Sequence, residues 1–172
     1  MIKGRLLPWR EASAAENMAV DEAIYFQYLQ GCSPITLRYY GWRPAAVSIG
    51  YSQDPKKELD LAACAQRRIS WVRRPTGGRS VFHDHEITYS LVAGEAQGFT
   101  GPLLHDYLKV AEGLKAGFSL LGVEVCLVDR KKTKQRWSGA WDQSTQPYSA
   151  VCFASSSWYE IEVGGKKFVG SA

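Results

Sequence analysis

Two adjacent glycines, Gly77 and Gly78, sit inside Arg73-Arg74-Pro75-Thr76-Gly77-Gly78-Arg79-Ser80-Val81-Phe82-His83, between a basic strand end and an apolar strand. A chain uses residues without a Cβ where it must turn sharply or let something approach its backbone. The run therefore has two readings. It is the turn of a β-hairpin flanked by surface arginines, or a backbone wall against which a ligand packs. Both require strands on either side, and Ile69 to Arg73, Ser80 to His83 and Ile87-Tyr89-Leu91 supply them.

The rest of the chain mixes helical and strand periods. Ser13 and Glu16 have the spacing of a capping box, and Val20, Ala23, Ile24 and Tyr28 then recur at helical spacing, which predicts a helix over 14–30. Ile35, Leu37 and Tyr39 alternate, as do Val47, Ile49 and Tyr51, giving two strands. Asp54-Pro55 opens a short helix through Leu59, Ala62 and Ala63 that contains Cys64. Leu104, Tyr107, Leu108, Ala111, Leu114, Phe118 and Leu121 form the strongest amphipathic pattern, stopped by Gly122 and followed by a strand over 123–128. The pattern then lapses from Asp129 to Tyr148, a stretch long for a connection inside a domain and therefore expected to be functional or mobile. Beyond it, Trp158 to Val163, Gly164-Gly165 and Lys166 onward read as a hairpin with a two-residue turn. Nothing repeats and no linker intervenes. The expectation is one α/β (α+β) domain over 1–172, a mixed, mostly antiparallel sheet flanked by helices.

Composition narrows the class without choosing a function. With 45% hydrophobic and 22% charged residues, 172 residues can bury a core. No apolar run reaches the roughly 18 residues a bilayer span needs. The start, Met1 to Arg10, has only a two-leucine apolar centre before Glu11, which does not read as a signal peptide, so the expected location is the cytoplasm. Cys32, Cys64, Cys126 and Cys152 form no Cys-x-x-Cys pair and only His83, His85 and His105 could assist them, so no metal site is expected. A net charge of +4 permits an acidic partner without demanding one.

Three segments together resemble one family. They are the arginine–glycine run, Cys152-Phe153-Ala154-Ser155-Ser156-Ser157-Trp158-Tyr159-Glu160, and Lys167-Phe168-Val169-Gly170-Ser171-Ala172. In combination they resemble the lipoate-protein ligase and octanoyltransferase superfamily, related to biotin-protein ligases. The likeness extends to Asn17 to Ala23, Leu37 to Tyr40 and Ser48 to Tyr51, almost the whole chain. The cysteine ahead of Ser-Trp-Tyr-Glu is similar to the branch that moves octanoyl from acyl carrier protein to a protein lysine, whereas the lipoate ligases have an Asn-Asp type sequence there. Relatives usually continue well past the lysine motif, so the chain ending at Ala172 reads as truncated.

The resemblance implies a biotin/lipoate-protein ligase-type catalytic domain and assigns roles. Cys152 would carry the acyl group as a thioester, splitting a difficult amide synthesis into two exchanges. Lys167 would lower the thiol's pKa and contact the acyl carbonyl, where a cation steadies the oxyanion. Gly77 and Gly78 would wall a slot for the acyl chain, with Arg74, Thr76 and His83 at its mouth and Val81 and Phe82 beside it. Each buried methylene of that chain is worth about 0.8 kcal/mol. The donor would be octanoyl-acyl carrier protein and the acceptor a lipoyl-accepting protein, the glycine cleavage H protein. No cofactor, metal or nucleotide is implied.

Each residue also has a plainer reading. Cys32, Cys64 and Cys126 suit small core positions. Lys167 apart from its motif is a solvated hairpin lysine, as Lys166 is. His85 is a surface turn residue, and Asp84 and Glu86 are solvated carboxylates without a role. Lys131, Lys132, Lys134 and Arg136 make a docking surface for acyl carrier protein or a mobile lid; with only Trp137 and Trp141 for stacking, nucleic acid ranks last. Three other functions stay open. They are an ATP-dependent lipoate-protein ligase, a cysteine-dependent amidotransferase between lipoyl domains, and an inactive fragment or binding subunit whose open sheet edge recruits another chain.

Overall fold

Residues 3–127 and 160–171 are described by the computed structural model, in which the chain divides into two units, 1–99 and 100–172. In the first unit, β1 (Gly4–Ala12) runs parallel to β2 (Ile35–Trp42), which pairs antiparallel with β6 (Thr88–Val92). Parallel neighbours need a crossover rather than a hairpin, and α1 (Ala14–Leu29) provides it. A second sheet sets β3 (Ala46–Ile49) between parallel β4 (Ser70–Arg73) and antiparallel β5 (Val81–His83).

Ser13 starts α1 as its spacing predicts, its Oγ accepting the Glu16 amide at 3.3 Å. The Glu16 carboxylate does not complete a capping box but meets Arg10 at 2.7 Å. The face that α1 buries is also different from the apolar one. It carries Ala14, Asn17, Met18, Asp21 and Ile24, while Ala23 is exposed. The cause lies on β2, where Thr36, Arg38, Tyr40 and Trp42 point inward and Ile35, Leu37 and Tyr39 are only half-buried.

A buried guanidinium needs partners, and α1 supplies them. Arg38 donates to Asp21 at 2.7 Å and to the Asn17 side chain at 2.6 Å, while Tyr40 donates to Asp21 at 2.8 Å. Burial, and then the Asp21 carboxylate beside it, hold the Tyr40 phenol protonated far above its usual range. Asn17 closes the set by donating to the carbonyls of Ala12 and Gly41. Ala14, Met18, Tyr40, Trp42 and Ala46 pack as the apolar centre.

The single helix expected after Asp54 breaks into α2 (Pro55–Glu58) and α3 (Leu61–Gln66), because Asp60 caps a second start by accepting the Ala63 amide at 2.9 Å. In the second unit, α4 (Leu103–Leu120) follows the predicted pattern, and the following strand shortens to β7 (Cys126–Leu127). β8 (Ile161–Val163) and β9 (Lys166–Val169) form the predicted hairpin, and the sheet runs β7-β8-β9, all antiparallel. Gly164 and Gly165 turn it at φ of 57° and 78°, the left-handed values a two-residue hairpin turn needs. Phe118 of α4 meets Phe168 edge-on, 5.2 Å between ring centres.

Helices thus join mixed and antiparallel three-stranded sheets, the mixed α/β class expected. No helix among the described residues is long and apolar enough to cross a membrane. The 129–148 stretch and Cys152 lie outside the described residues. Cys32 and Cys126 are exposed and Cys64 half-buried, so the core expectation for these three does not hold: each sits at an element end or on an outward helix face.

Candidate functional site

The arginine–glycine run does not close a hairpin. β4 and β5 lie on opposite sides of β3, so residues 74–80 must cross over the end of that strand. The crossing is stitched down by backbone bonds, Arg74 N–H to the Ile49 carbonyl and Tyr51 N–H to the Thr76 carbonyl, each 2.9 Å. Its closest approach is at Gly50, where a Cβ would overlap the carbonyl oxygen of Gly78. Gly78 itself adopts φ of 85°. Gly77 is different: its Cβ position is open space, and the residue is exposed. One glycine lets the chain cross, and the other leaves the outer wall bare.

Arg74 is no surface arginine. Only 8% exposed, it turns beneath the loop and donates to the carbonyls of Gly77 at 2.5 Å and Arg79 at 2.8 Å, and to Ser48 Oγ at 3.1 Å. Arg73 grips the segment after β3, donating from one nitrogen to the carbonyls of Gly50, Tyr51 and Gln53. Two consecutive arginines thereby fix both lips of the crossing with charge-assisted bonds.

The network continues through His83. Its Nε2 lies 2.7 Å from Ser48 Oγ and its Nδ1 2.5 Å from Glu86 Oε1. A carboxylate only accepts, so Nδ1–H donates to Glu86, while Nε2 shares a hydrogen bond with the Ser48 hydroxyl. Trp42 stacks on the imidazole at 3.9 Å between ring centres and 10° between planes. Trp42 Nε1 donates to Thr88 Oγ1 at 2.7 Å, and Thr88 donates to Glu86 at 2.8 Å. Burial works against the Glu86 charge, but the hydrogen bond and attraction from His83 and the bond from Thr88 outweigh it and hold the carboxyl below its usual range.

A continuous polar chain therefore runs from Gly77 through Arg74, Ser48, His83 and Glu86 to Thr88 and Trp42, tying the loop to both sheets of the first unit. Of the residues singled out in the sequence, Arg74, Gly77, Gly78 and His83 come together here. Thr76 is exposed at the loop's crest, Val81 is half-buried, and Phe82 is 52% exposed. Glu86 is the participant that sequence reasoning passed over. Its signal was the His-x-x-Glu spacing between two strands, where a tight connection returns a carboxylate to the imidazole. Asp84 and His85 are exposed, as expected.

Lys167 belongs to the second unit. It stands opposite Glu162 in the β8–β9 register, yet its Nζ closes on Glu160 Oε1 at 2.6 Å, with side chains 9% and 5% exposed. This lysine is not a solvated hairpin residue. Cys152, its expected partner, lies outside the described residues.

Residues 13–172 match the family model of the lipoyl protein ligase A/B catalytic domain. A curated octanoyltransferase, LipM of Kyrpidia tusciae, is 46% identical over 170 residues, and LipM of Bacillus subtilis 38% over 169. Each alignment covers 98% of this chain and respectively 60% and 59% of the relative, so the chain spans about three-fifths of the length of the curated relatives it matches. A crystal structure of lipoate-protein ligase A bound with ATP superposes with a TM-score of 0.66 at 23% identity, covering 97% of this chain and 59% of that one. At that identity the likeness is one of fold.

Proposed function

The chain belongs to the lipoyl protein ligase A/B catalytic-domain family, and on that premise we propose that it takes part in octanoyl transfer during protein lipoylation. The observation that carries this reading is the similarity, along nearly the whole chain, to relatives named octanoyltransferases. The family match runs through both units, which supports reading 1–172 as parts of one catalytic domain. The donor is octanoyl-acyl carrier protein, and the acceptor is a lysine of a lipoyl-accepting protein such as the glycine cleavage H protein.

In the first half-reaction the Cys152 thiolate attacks the carbonyl of the donor thioester, and the carrier thiolate leaves. In the second, the acceptor amine attacks the enzyme thioester; the C–S bond breaks, the amide forms, and the proton lost by nitrogen leaves through the thiolate and solvent. Lys167 supplies positive charge that favours the thiolate and steadies the oxyanion of each tetrahedral intermediate. The bare backbone at Gly77 and Gly78, held from beneath by Arg74, is the wall for the octanoyl chain, with Thr76, Val81 and His83 around it.

Transfer is tested by mixing the protein with octanoyl-acyl carrier protein and H protein without ATP and weighing the H protein. A gain of one octanoyl group on its lipoyl lysine is expected. Gain only with free lipoate or octanoate plus ATP and magnesium would instead establish a ligase. Transfer only from octanoylated H protein to other lipoyl domains would establish an amidotransferase.

A further inference from the structure

Arg73 is an anchored arginine to which the proposed chemistry gives no work. It closes β4, level with Ile49 of β3 in the register, where β3 runs out into the lip of residues 50–53. Its side-chain hydrogen bonds all leave from Nη1, to the carbonyls of Gly50 at 3.0 Å, Tyr51 at 2.6 Å and Gln53 at 2.7 Å. A guanidinium carries five N–H donors in one rigid plane. The Nε–H and Nη2–H groups of Arg73 therefore have no hydrogen-bond partner among the described residues. No carboxylate there answers its charge either, whereas Arg10, Arg38 and Arg43 meet Glu16, Asp21 and Glu11.

Holding carbonyls does not by itself require arginine, since a lysine ammonium also offers three donors. What arginine adds is the edge formed by Nε–H and Nη2–H, two parallel donors that match two oxygens of a phosphate or carboxylate. The Nη1 bonds fix that edge in advance, so little side-chain freedom is lost when an anion arrives. Arg73 is half-buried, so its charge is screened less than one on the open surface. Its place matters as much. Tyr51, whose carbonyl it holds, donates its N–H to the Thr76 carbonyl at 2.9 Å, next to the bare backbone of Gly77. The arginine and the proposed acyl wall thus share one lip. We propose that Arg73 is an oxyanion-binding residue for the acyl donor, its Nε–Nη2 edge taking an anionic group that the carrier protein brings with the octanoyl chain. That group is the phosphate of the carrier's phosphopantetheine arm or a carboxylate of its acidic surface. This rests on the function proposed above.

The informative variant is Arg73→Lys, which keeps a cation for the three carbonyls and removes the fork; Arg73→Gln replaces it if it does not fold. Octanoyl loading, read by intact mass, is compared for octanoyl-pantetheine, octanoyl-phosphopantetheine and octanoyl-acyl carrier protein. If the anion is the arm's phosphate, wild type should use octanoyl-phosphopantetheine about tenfold better in kcat/KM than octanoyl-pantetheine, the worth of a charge-assisted pair, and Arg73→Lys should erase that preference. If it is a carboxylate of the carrier, the two small donors should load alike in both proteins. Arg73→Lys should then raise KM about tenfold for octanoyl-acyl carrier protein alone, with kcat kept. Equal kinetics of wild type and Arg73→Lys with every donor, or an equal loss with all three, would overturn the inference while leaving the functional reading standing. Should wild type load from none of the donors, the functional reading fails, and arginine Nε–H signals in NMR spectra decide the site separately. A signal missing from Arg73→Lys should move in wild type on adding phosphopantetheine or carrier protein; no movement with either would overturn the site as well.

Discussion

At the scale of single residues, the described chemistry is organised by charges that are paired out of sight of water. Glu86 carries the clearest consequence. Its carboxyl is held below the usual range by His83 and Thr88 despite burial, so its pKa is lower folded than unfolded. Such a group contributes stability that is fully present above its unfolded value and is lost as pH falls through its folded value. Stability measured by denaturant titration should therefore decline on acidification below about pH 4.5, the ordinary value for the group. Glu86→Gln should flatten that acid limb while leaving the neutral-pH hydrogen bond to His83 largely intact. An acid limb unchanged by the substitution would mean that Glu86 is not the group responsible.

This pairing is also where sequence reasoning lost its way. Apolar periodicity marks Val20, Ala23 and Tyr28, but it cannot know that Arg38 on a strand far along the chain will draw Asn17 and Asp21 inward. The same pull turns β2 over, so that its apolar alternate residues face the less buried side. The motifs marked Arg74 and Lys167 as site residues, yet without them each reads as a solvated cation, because the partners that make their burial tolerable, Ser48 and Glu160, are identified only by the fold.

At the scale of elements, local signals were far more legible. Ser13, Asp54-Pro55 and Gly164-Gly165 act within a few residues of themselves, and each punctuates the chain where expected. The arginine–glycine segment was ambiguous because two strands joined by glycines look alike whether they pair with each other or flank a third. With β3 between them, Gly50 beneath the crossing and Gly77 on it have separate jobs that substitution can separate. Gly50→Ala puts a Cβ into the Gly78 carbonyl and should destabilise the protein by about 1–3 kcal/mol. Gly77→Ala meets nothing within the structure and should leave stability within about 0.5 kcal/mol of wild type. If Gly77 backs the acyl chain, that same stable variant should nonetheless load octanoyl more slowly, with its preference shifted toward shorter chains. Equal destabilisation by both substitutions in thermal melts would contradict the crossing geometry.

For the whole molecule, family membership was readable because its motifs are dispersed along the chain: arginine–glycine, cysteine before Ser-Trp-Tyr-Glu, and lysine before Gly-Ser-Ala. The chemistry proposed for them depends most on Cys152, the residue proposed to carry the acyl group. The most direct test is the intact mass of the protein after exposure to octanoyl-acyl carrier protein without ATP, for wild type and Cys152→Ala. The account predicts one added octanoyl group on wild type, removed by hydroxylamine as a thioester should be, and none on the variant. A folded wild-type protein that gains no mass, or a Cys152→Ala variant that gains the same hydroxylamine-sensitive group, would contradict it.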